Sequence, residues 1–445
     1  MRLGGQRGVS PLSRLTIKTY LKENISIVQP VAAFLIKIVG AGLSFALSLL
    51  IAQKFGPTGV GQFGLAISTL IVGSTLSLVG LDYVLIRNVS GEVEVKNFDI
   101  AKGIVNKVLL LVLSVSSIFG LILCRFLVPW WNKSYGMATE TVVLSAIGAA
   151  IVSFALMRVA SSALRSSGGV LIAQALDGPA PMAIAIMGTV GLYLTIGMRS
   201  VVDVGWVYAA AMSACAVGGM LLYYFRTRDW PPATPTRSAA LLRQGWPLAI
   251  AASTGFIVDW FILFSLAANE AAAQVGLLRM AAQISGLLSL VMVSFDAVSG
   301  PRIAAFHRNG DIAGIRRVWR QSAFTMLAMS LPVIVAISLA AEPVLSIFGP
   351  EFREGAWALR ILLLGQLVNA ATGPVGAILI MTGHDRWTLA YSVVSTVGAV
   401  VICLALMPTF GLLGAAAASA LTICLRNGFA FAIAFRIFGN PFRRD

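Results

Sequence analysis

Charge is scarce in this chain. Only 11% of its 445 residues are Asp, Glu, Lys or Arg, against roughly 25% in an average soluble domain, which excludes a water-facing surface over most of its length. Histidine is nearly missing as well: His307 and His384 are the two present, and both fall in hydrophilic connections, leaving little material for a histidine metal site or general base. The four cysteines, Cys124, Cys215, Cys403 and Cys424, each sit inside an apolar run with no CxxC-like spacing. They read as small buried apolar residues, not as a disulfide framework or a metal site. No GxxxxGK[ST] phosphate loop occurs, so an ATP-driven pump within the one chain is excluded. The outer connections are short, and a membrane glycosyltransferase, polymerase or ligase would need a sizeable one to bring an acid or base to its substrate. The chain therefore reads as a non-enzyme without a cofactor or metal.

What is present is hydrophobicity, at 58% of residues. Apolar runs of about 20 residues match a hydrocarbon core of roughly 30 Å, and runs of that length without alternation must be helices, because lipid offers no partners to backbone polar groups. Twelve are predicted. Six lie near 31–52, 61–86, 108–128, 142–163, 170–196 and 204–225, and six near 247–268, 275–299, 322–341, 356–381, 389–407 and 412–435. The first run is longer than a signal-peptide core and lacks a small-residue cleavage site, so it is expected to be retained. The expected fold class is an all-α polytopic membrane protein in two six-helix lobes. Residues 1–24 form a basic cytoplasmic segment, 25–228 the first lobe, 229–245 a cytoplasmic linker with Pro231, Pro232 and Pro235, and 246–445 the second lobe.

A net charge of +15 raises nucleic acid as a partner, but the placement of the charge excludes it. Of 33 Lys and Arg, five (Lys54, Arg125, Lys133, Arg199 and Arg353) fall in one set of loops and four (Lys37, Arg279, Arg360 and Arg426) inside spans. All the others lie in the opposite loops, at the inner ends of the spans that border them, and at the two termini. That is the positive-inside pattern of a membrane protein, and it puts both termini in the cytoplasm, as an even number of spans requires.

The halves resemble each other. Gly61 to Leu65 (GQFGL) opens the second span, and Ala273 to Leu277 (AQVGL) opens the eighth. Each of these helices runs on to an acidic and then a basic residue, Asp82 and Arg87 in one, Asp296 and Arg302 in the other. A parallel repeat with a cavity between halves is a transporter plan. A charge at mid-bilayer costs roughly 2.5–3.5 kcal/mol on insertion scales, so it normally faces water or a partner. Lys37, Arg279 and the midplane Asp259 are accordingly candidates for a cavity, against the alternative of an ion pair that only fixes packing. Arg360 is close enough to a helix end to snorkel, and Arg426 lies deeper on a helix that can be peripheral. Arg158 and Arg165 are positive-inside residues first and candidate entrance ligands second. Asp82 and Asp296 are expected to pair with nearby basic residues, and Asp177 to Pro181 (DGPAP) to interrupt the fifth span near its inner end.

Five stretches carry a family resemblance: Phe55 to Leu65 (FGPTGVGQFGL), Gln274 to Leu278 (QVGLL), Pro301 with the basic loop after it, Ile347 to Pro350 (IFGP) and Phe410 to Ala416 (FGLLGAA). Together they span about 400 residues. On them the chain resembles the polysaccharide transporters, including Wzx-type flippases, of the multidrug/oligosaccharidyl-lipid/polysaccharide (MOP) exporter superfamily. The resemblance implies two lobes in a V opening alternately to either side, in the bacterial inner membrane. It also implies a cationic cavity, lined mainly by the first, second, seventh and eighth spans, for a polyprenyl-diphosphate-linked oligosaccharide. Lys37, Arg279 and Arg158 are then the expected substrate contacts and Asp259 an ion-coupling or ion-pairing residue. Membrane lipids and the polymerase or ligase machinery of O-antigen, lipopolysaccharide, capsule or exopolysaccharide synthesis are the expected partners. The alternatives are a multidrug exporter of the same superfamily and a non-transporting scaffold of a polysaccharide synthase.

Overall fold

The structure, a computed structural model, describes residues 11–127, 140–195, 197, 200–235 and 238–442. Residues 1–10 of the basic amino-terminal segment, and Lys133, Arg199, Arg237, Arg443 and Arg444, lie outside the described residues. Among the described residues there is helix and no strand. Eight helices are long and apolar enough to cross a membrane, and two bent pairs make further spans. Two of the eight are too long for one crossing. Ala32–Leu78 has 47 residues and Arg386–Phe438 has 53, about 70 and 80 Å at 1.5 Å per residue, more than twice the core of a bilayer. Each breaks at a glycine in the left-handed region, Gly56 (φ 64°) and Gly411 (φ 48°), a conformation that a side chain disfavours. Counting each as two arms gives the twelve spans that the hydrophobic runs predict, and the chain is a multi-pass membrane protein.

The two bent pairs have a common cause. In the fifth span, Val170–Asp177 and Pro179–Thr195 meet at 42° because Pro179 and Pro181 lack the backbone donors that would carry the helix through Gly178. The break leaves a short helical piece in place instead of delaying the helix start. Gly40 of the first span packs against it, and a Cβ there would lie 3.2 Å from the Pro179 nitrogen. In the tenth span, Pro350–Thr372 and Val375–Met381 meet at 45° across Gly373 and Pro374.

The first lobe is built around the fourth span, Gly148–Ser166, which packs on the first, second, third and sixth. Its buried face is mostly small, with Ala155, Ala160 and Ala163, and small residues let helix backbones approach closely in lipid. The second lobe gathers the seventh and tenth spans against the eleventh and twelfth. The helix of the seventh span begins at Ser238, inside the 229–245 linker, so extended backbone is confined to 231–235 among the described residues.

Candidate functional site: the inter-lobe cavity

The second span forms the seam between lobes along its length. At the face away from the linker it meets the start of the eighth, and here the two repeated motifs touch each other. A Cβ built on Gly61 would fall on the Ala272 carbonyl oxygen, and one on Gly276 on the Pro57 carbonyl oxygen. Both obstacles are backbone. One turn further in, Gly64 lies under the stem of Arg279, where an added Cβ would be 2.9 Å from Cγ. Deeper still, Ser48 Oγ donates to Gln283 Oε1 at 2.9 Å and Trp260 Nε1 to Thr69 Oγ1 at 3.0 Å. On the linker side the backbones of Gly80 and Gly245 meet, and Asn88 Nδ2 donates to Gln244 Oε1 at 3.0 Å. The contrast lies on the eighth span: among the described residues the helix pair that carries the first and second spans packs along Ala272–Gly286 and makes at most slight contact with Leu288–Arg308. The lobes are thus shut at the far face and parted on the linker side, between the first and eighth spans.

Arg279 belongs to the second lobe, but the cavity it lines belongs to the first. That cavity, about 420 Å³ with its open mouth, is otherwise walled by Ser44, Leu47, Ser48 and Ile51 of the first span, Val60, Phe63, Gly64 and Ile67 of the second, Met182 of the fifth and Tyr208 of the sixth. No side chain forms a contact ion pair with Arg279 among the described residues, although Asp259 and Tyr208 are within electrostatic reach. Lys37 is exposed. It lies seven and eleven residues before Ser44 and Ser48, hence on the same helical stripe as those two lining residues.

The two cations stand at different depths. At 1.5 Å per residue, Arg279 is about 10 Å in from Ala272 at the far face, whereas Lys37 is about 28 Å from Gly56 on that face. Asp259 lies between them, about 15 Å in from Asn269. It is deep within the protein yet exposed, as a residue on a cavity wall is, and Arg279 and Arg426 both lie within its electrostatic reach.

The remaining charges are engaged elsewhere or stand alone. Arg158 Nη2 binds Asp82 Oδ2 at 2.7 Å, and Arg165 Nη2 binds Asp177 Oδ2 at 2.6 Å. Arg158 is therefore committed to a nearly buried carboxylate and is not a free ligand. Removing it strands Asp82, and a lost partner in a buried pair costs about 2–4 kcal/mol when one member is a third exposed. Arg158→Ala is expected to lower the unfolding temperature in detergent by several degrees, and Arg158→Ala/Asp82→Ala to restore part of it. An additive double variant would show that the pair is not coupled. Asp296 departs from expectation: its Oδ1 is buried and has no hydrogen-bond partner among the described residues. Arg360 snorkels, with Nε donating to the Ser338 carbonyl at 3.2 Å, its head 4.7 Å from the Trp357 ring centre and 3.8 Å from Glu342.

Sequence reading alone missed an amide chain. Asn427 Nδ2 donates to Asn369 Oδ1 at 2.9 Å, Asn369 Nδ2 to Gln366 Oε1 at 3.1 Å, and Ser289 Oγ to the same Gln366 oxygen at 3.4 Å. It ties together the twelfth, tenth and eighth spans. No motif announces it, since the four residues lie on three separate helices.

No protein-family model matches the chain. Among solved structures it is similar to an inward-facing multidrug resistance MATE transporter of the MOP superfamily, with a TM-score of 0.73 at 16% identity over 92% of this chain and 95% of that one. It is also similar to the lipid II flippase MurJ in an inward closed conformation, with a TM-score of 0.71 at 12% identity over 92% and 87%. The fold is the one that these two transporters share. An outward-facing MATE conformation is similar too, with a TM-score of 0.59 at 15% identity over 92% and 95%. By sequence, 203 residues are 23% identical to a probable flippase, AglR, of Haloferax volcanii, covering 43% of this chain and 41% of that protein. The aligned segment spans less than half of the curated relative.

Proposed function

We propose that the protein is a flippase that takes a polyprenyl-diphosphate-linked oligosaccharide at the inner leaflet and delivers it to the outer leaflet, without covalent chemistry. The observation that carries this reading is Arg279, a cation on the wall of the inter-lobe cavity with no contact ion pair among the described residues, with the exposed Lys37 on the stripe of Ser44 and Ser48 toward the linker side. A dianionic headgroup leaving water needs fixed positive partners. The likeness to one lipid II flippase and to one probable flippase supports the same substrate class. The loop-charge pattern supports a cytoplasmic linker and cytoplasmic termini in a bacterial inner membrane, where the product would feed O-antigen, lipopolysaccharide, capsule or exopolysaccharide synthesis.

A multidrug exporter shares the fold, with a structural match of equal quality, so charge decides between the two. Among the described residues Asp259 has two arginines, Arg279 and Arg426, within its electrostatic reach, an excess of positive charge that suits an anion better than an organic cation. Reconstitution separates the readings. Purified protein in vesicles is expected to move a fluorescent polyprenyl-diphosphate saccharide outward, faster with the linker side negative, since the field contributes about 2.3 kcal/mol per charge per 100 mV. A scaffold would move nothing, and an exporter of cations would be slowed by the same field. Reporters fused at the linker check the orientation; a signal from the far side would reverse it.

A further inference from the structure

Lys37 and Arg279 leave a gap. Counted along their own helices from the far face, their depths differ by about 18 Å, much longer than a diphosphate, so one headgroup is not expected to touch both. An anion released by the first would cross a low-dielectric interval before reaching the second, where an unpaired charge is costly. Arg426 of the twelfth span fills the interval. It lies about 22 Å in from Gly411, between the other two in depth. Its side chain is exposed, and it is within electrostatic reach of Asp259 without a contact ion pair.

The phase of the twelfth span puts it there. Asn427 is buried and bound to Asn369, and through it to Gln366 and Ser289. Consecutive residues on a helix point about 100° apart, so anchoring Asn427 in the lobe interior turns Arg426 out of it, toward the side on which Asp259 stands. Asp259 then has Arg279 on one side and Arg426 on the other, and it touches neither.

We propose that Arg426 is an intermediate anion-binding residue on the translocation path, aimed by the Asn427–Asn369–Gln366 chain, and that Asp259 is the internal counter-ion which the headgroup displaces. The inference rests on the flippase reading and adds to it a third cation and a competitor. A carboxylate that holds the place of the ligand in the empty carrier lowers affinity and keeps the two arginines from trapping the anion. Its removal and the removal of an arginine should therefore act in opposite directions. A residue serving only helix packing would not produce that sign reversal.

The test uses the full chain in lipid nanodiscs, titrated calorimetrically with farnesyl diphosphate, with farnesol as the uncharged control. Arg426→Gln is expected to weaken binding five- to tenfold, and Asp259→Asn to tighten it at least threefold. Asn427→Ala is expected to weaken binding about threefold with Arg426 present and to have no further effect beside Arg426→Gln, which marks it as a positioning residue acting through Arg426. Arg426→Lys, which keeps the charge without the planar fork, should recover part of the loss and shows that the site is folded. If Arg279→Gln weakens binding while Arg426→Gln does not, the flippase reading stands and this inference falls. If Asp259→Asn weakens binding or leaves it unchanged, the counter-ion role is overturned. If the unaltered protein binds farnesol as well as the diphosphate, the headgroup reading fails and the inference with it.

Discussion

Replacing Arg279 with alanine is expected to cut delivery of the glycolipid to the outer leaflet tenfold to a hundredfold at matched protein levels. The magnitude follows from the value of a hydrogen bond to a charged group, about 1.5–3 kcal/mol, lost where no other cation reaches. Gly64 leaves room for the Arg279 stem, and Ser44, Ser48 and Tyr208 line the same cavity as Arg279, so under the proposed function a planar bidentate donor is available there to a headgroup. Arg279→Lys keeps the charge but loses the fork and is expected to remain severely impaired. Lys37 differs because it is exposed: solvent screens it, and its flexible stem makes it a point charge. Lys37→Ala should therefore slow transport only severalfold, and Lys37→Arg should be tolerated. Wild-type rates in both alanine variants would remove these two cations from the headgroup site while leaving the fold untouched.

Substituting Gly276 with valine should abolish the inward-facing closure, with an effect on transport as large as that at Arg279. The added atoms would enter the space of the Pro57 carbonyl, which is backbone and cannot rotate away, and Gly61 faces the same crossing from the other helix. Overpacking a tight contact typically costs about 1–3 kcal/mol, and here it can be relieved only by parting the second and eighth spans at the far face. The seam below would loosen, including the Ser48 to Gln283 hydrogen bond. With the four native cysteines replaced, a cysteine at Ser48 is expected to react with a membrane-impermeant maleimide from the far side in Gly276→Val and to resist it in the parent. Equal labelling in both would mean that Gly61 and Gly276 are not the closure. Gly255, which meets nothing within 4 Å, serves as the control position and should accept alanine.

The parts of the architecture legible in the sequence are those that depend on the solvent. Twelve crossings could be read from hydrophobic runs because lipid forces each run into a helix regardless of its neighbours. The reversals at Gly56 and Gly411 lay within the Phe55 to Leu65 and Phe410 to Ala416 motifs. Bending at Asp177 to Pro181 could be read because proline removes a donor locally. Arg360 as a snorkelling residue was equally a matter of position along one helix.

Pairings between helices were not legible in the same way. Asp82 and Asp296 occupy similar places in the two halves, yet one has Arg158 at 2.7 Å and the other has a buried oxygen with no hydrogen-bond partner among the described residues; a repeat preserves backbone placement and lets side chains diverge. Arg426 could be read as peripheral because a one-dimensional pattern says how deep a residue lies and nothing of which way its helix is turned. That turn depends on Asn427, whose partner Asn369 lies on the tenth span and is itself bound to Gln366 there.

By itself, then, the sequence determined the solvent, the number and order of crossings, the charge asymmetry between faces and the presence of a few cations at membrane depth. All of these follow from local transfer free energies and the chain's linear order. Only the tertiary structure decided which of those cations remain without a contact partner among the described residues, that Arg279 of the second lobe lines a cavity of the first, and that the two repeated motifs close on each other. Those outcomes depend on helix rotation and on backbone contact between residues more than 200 positions apart, where packing geometry, not hydrophobicity, selects the partner.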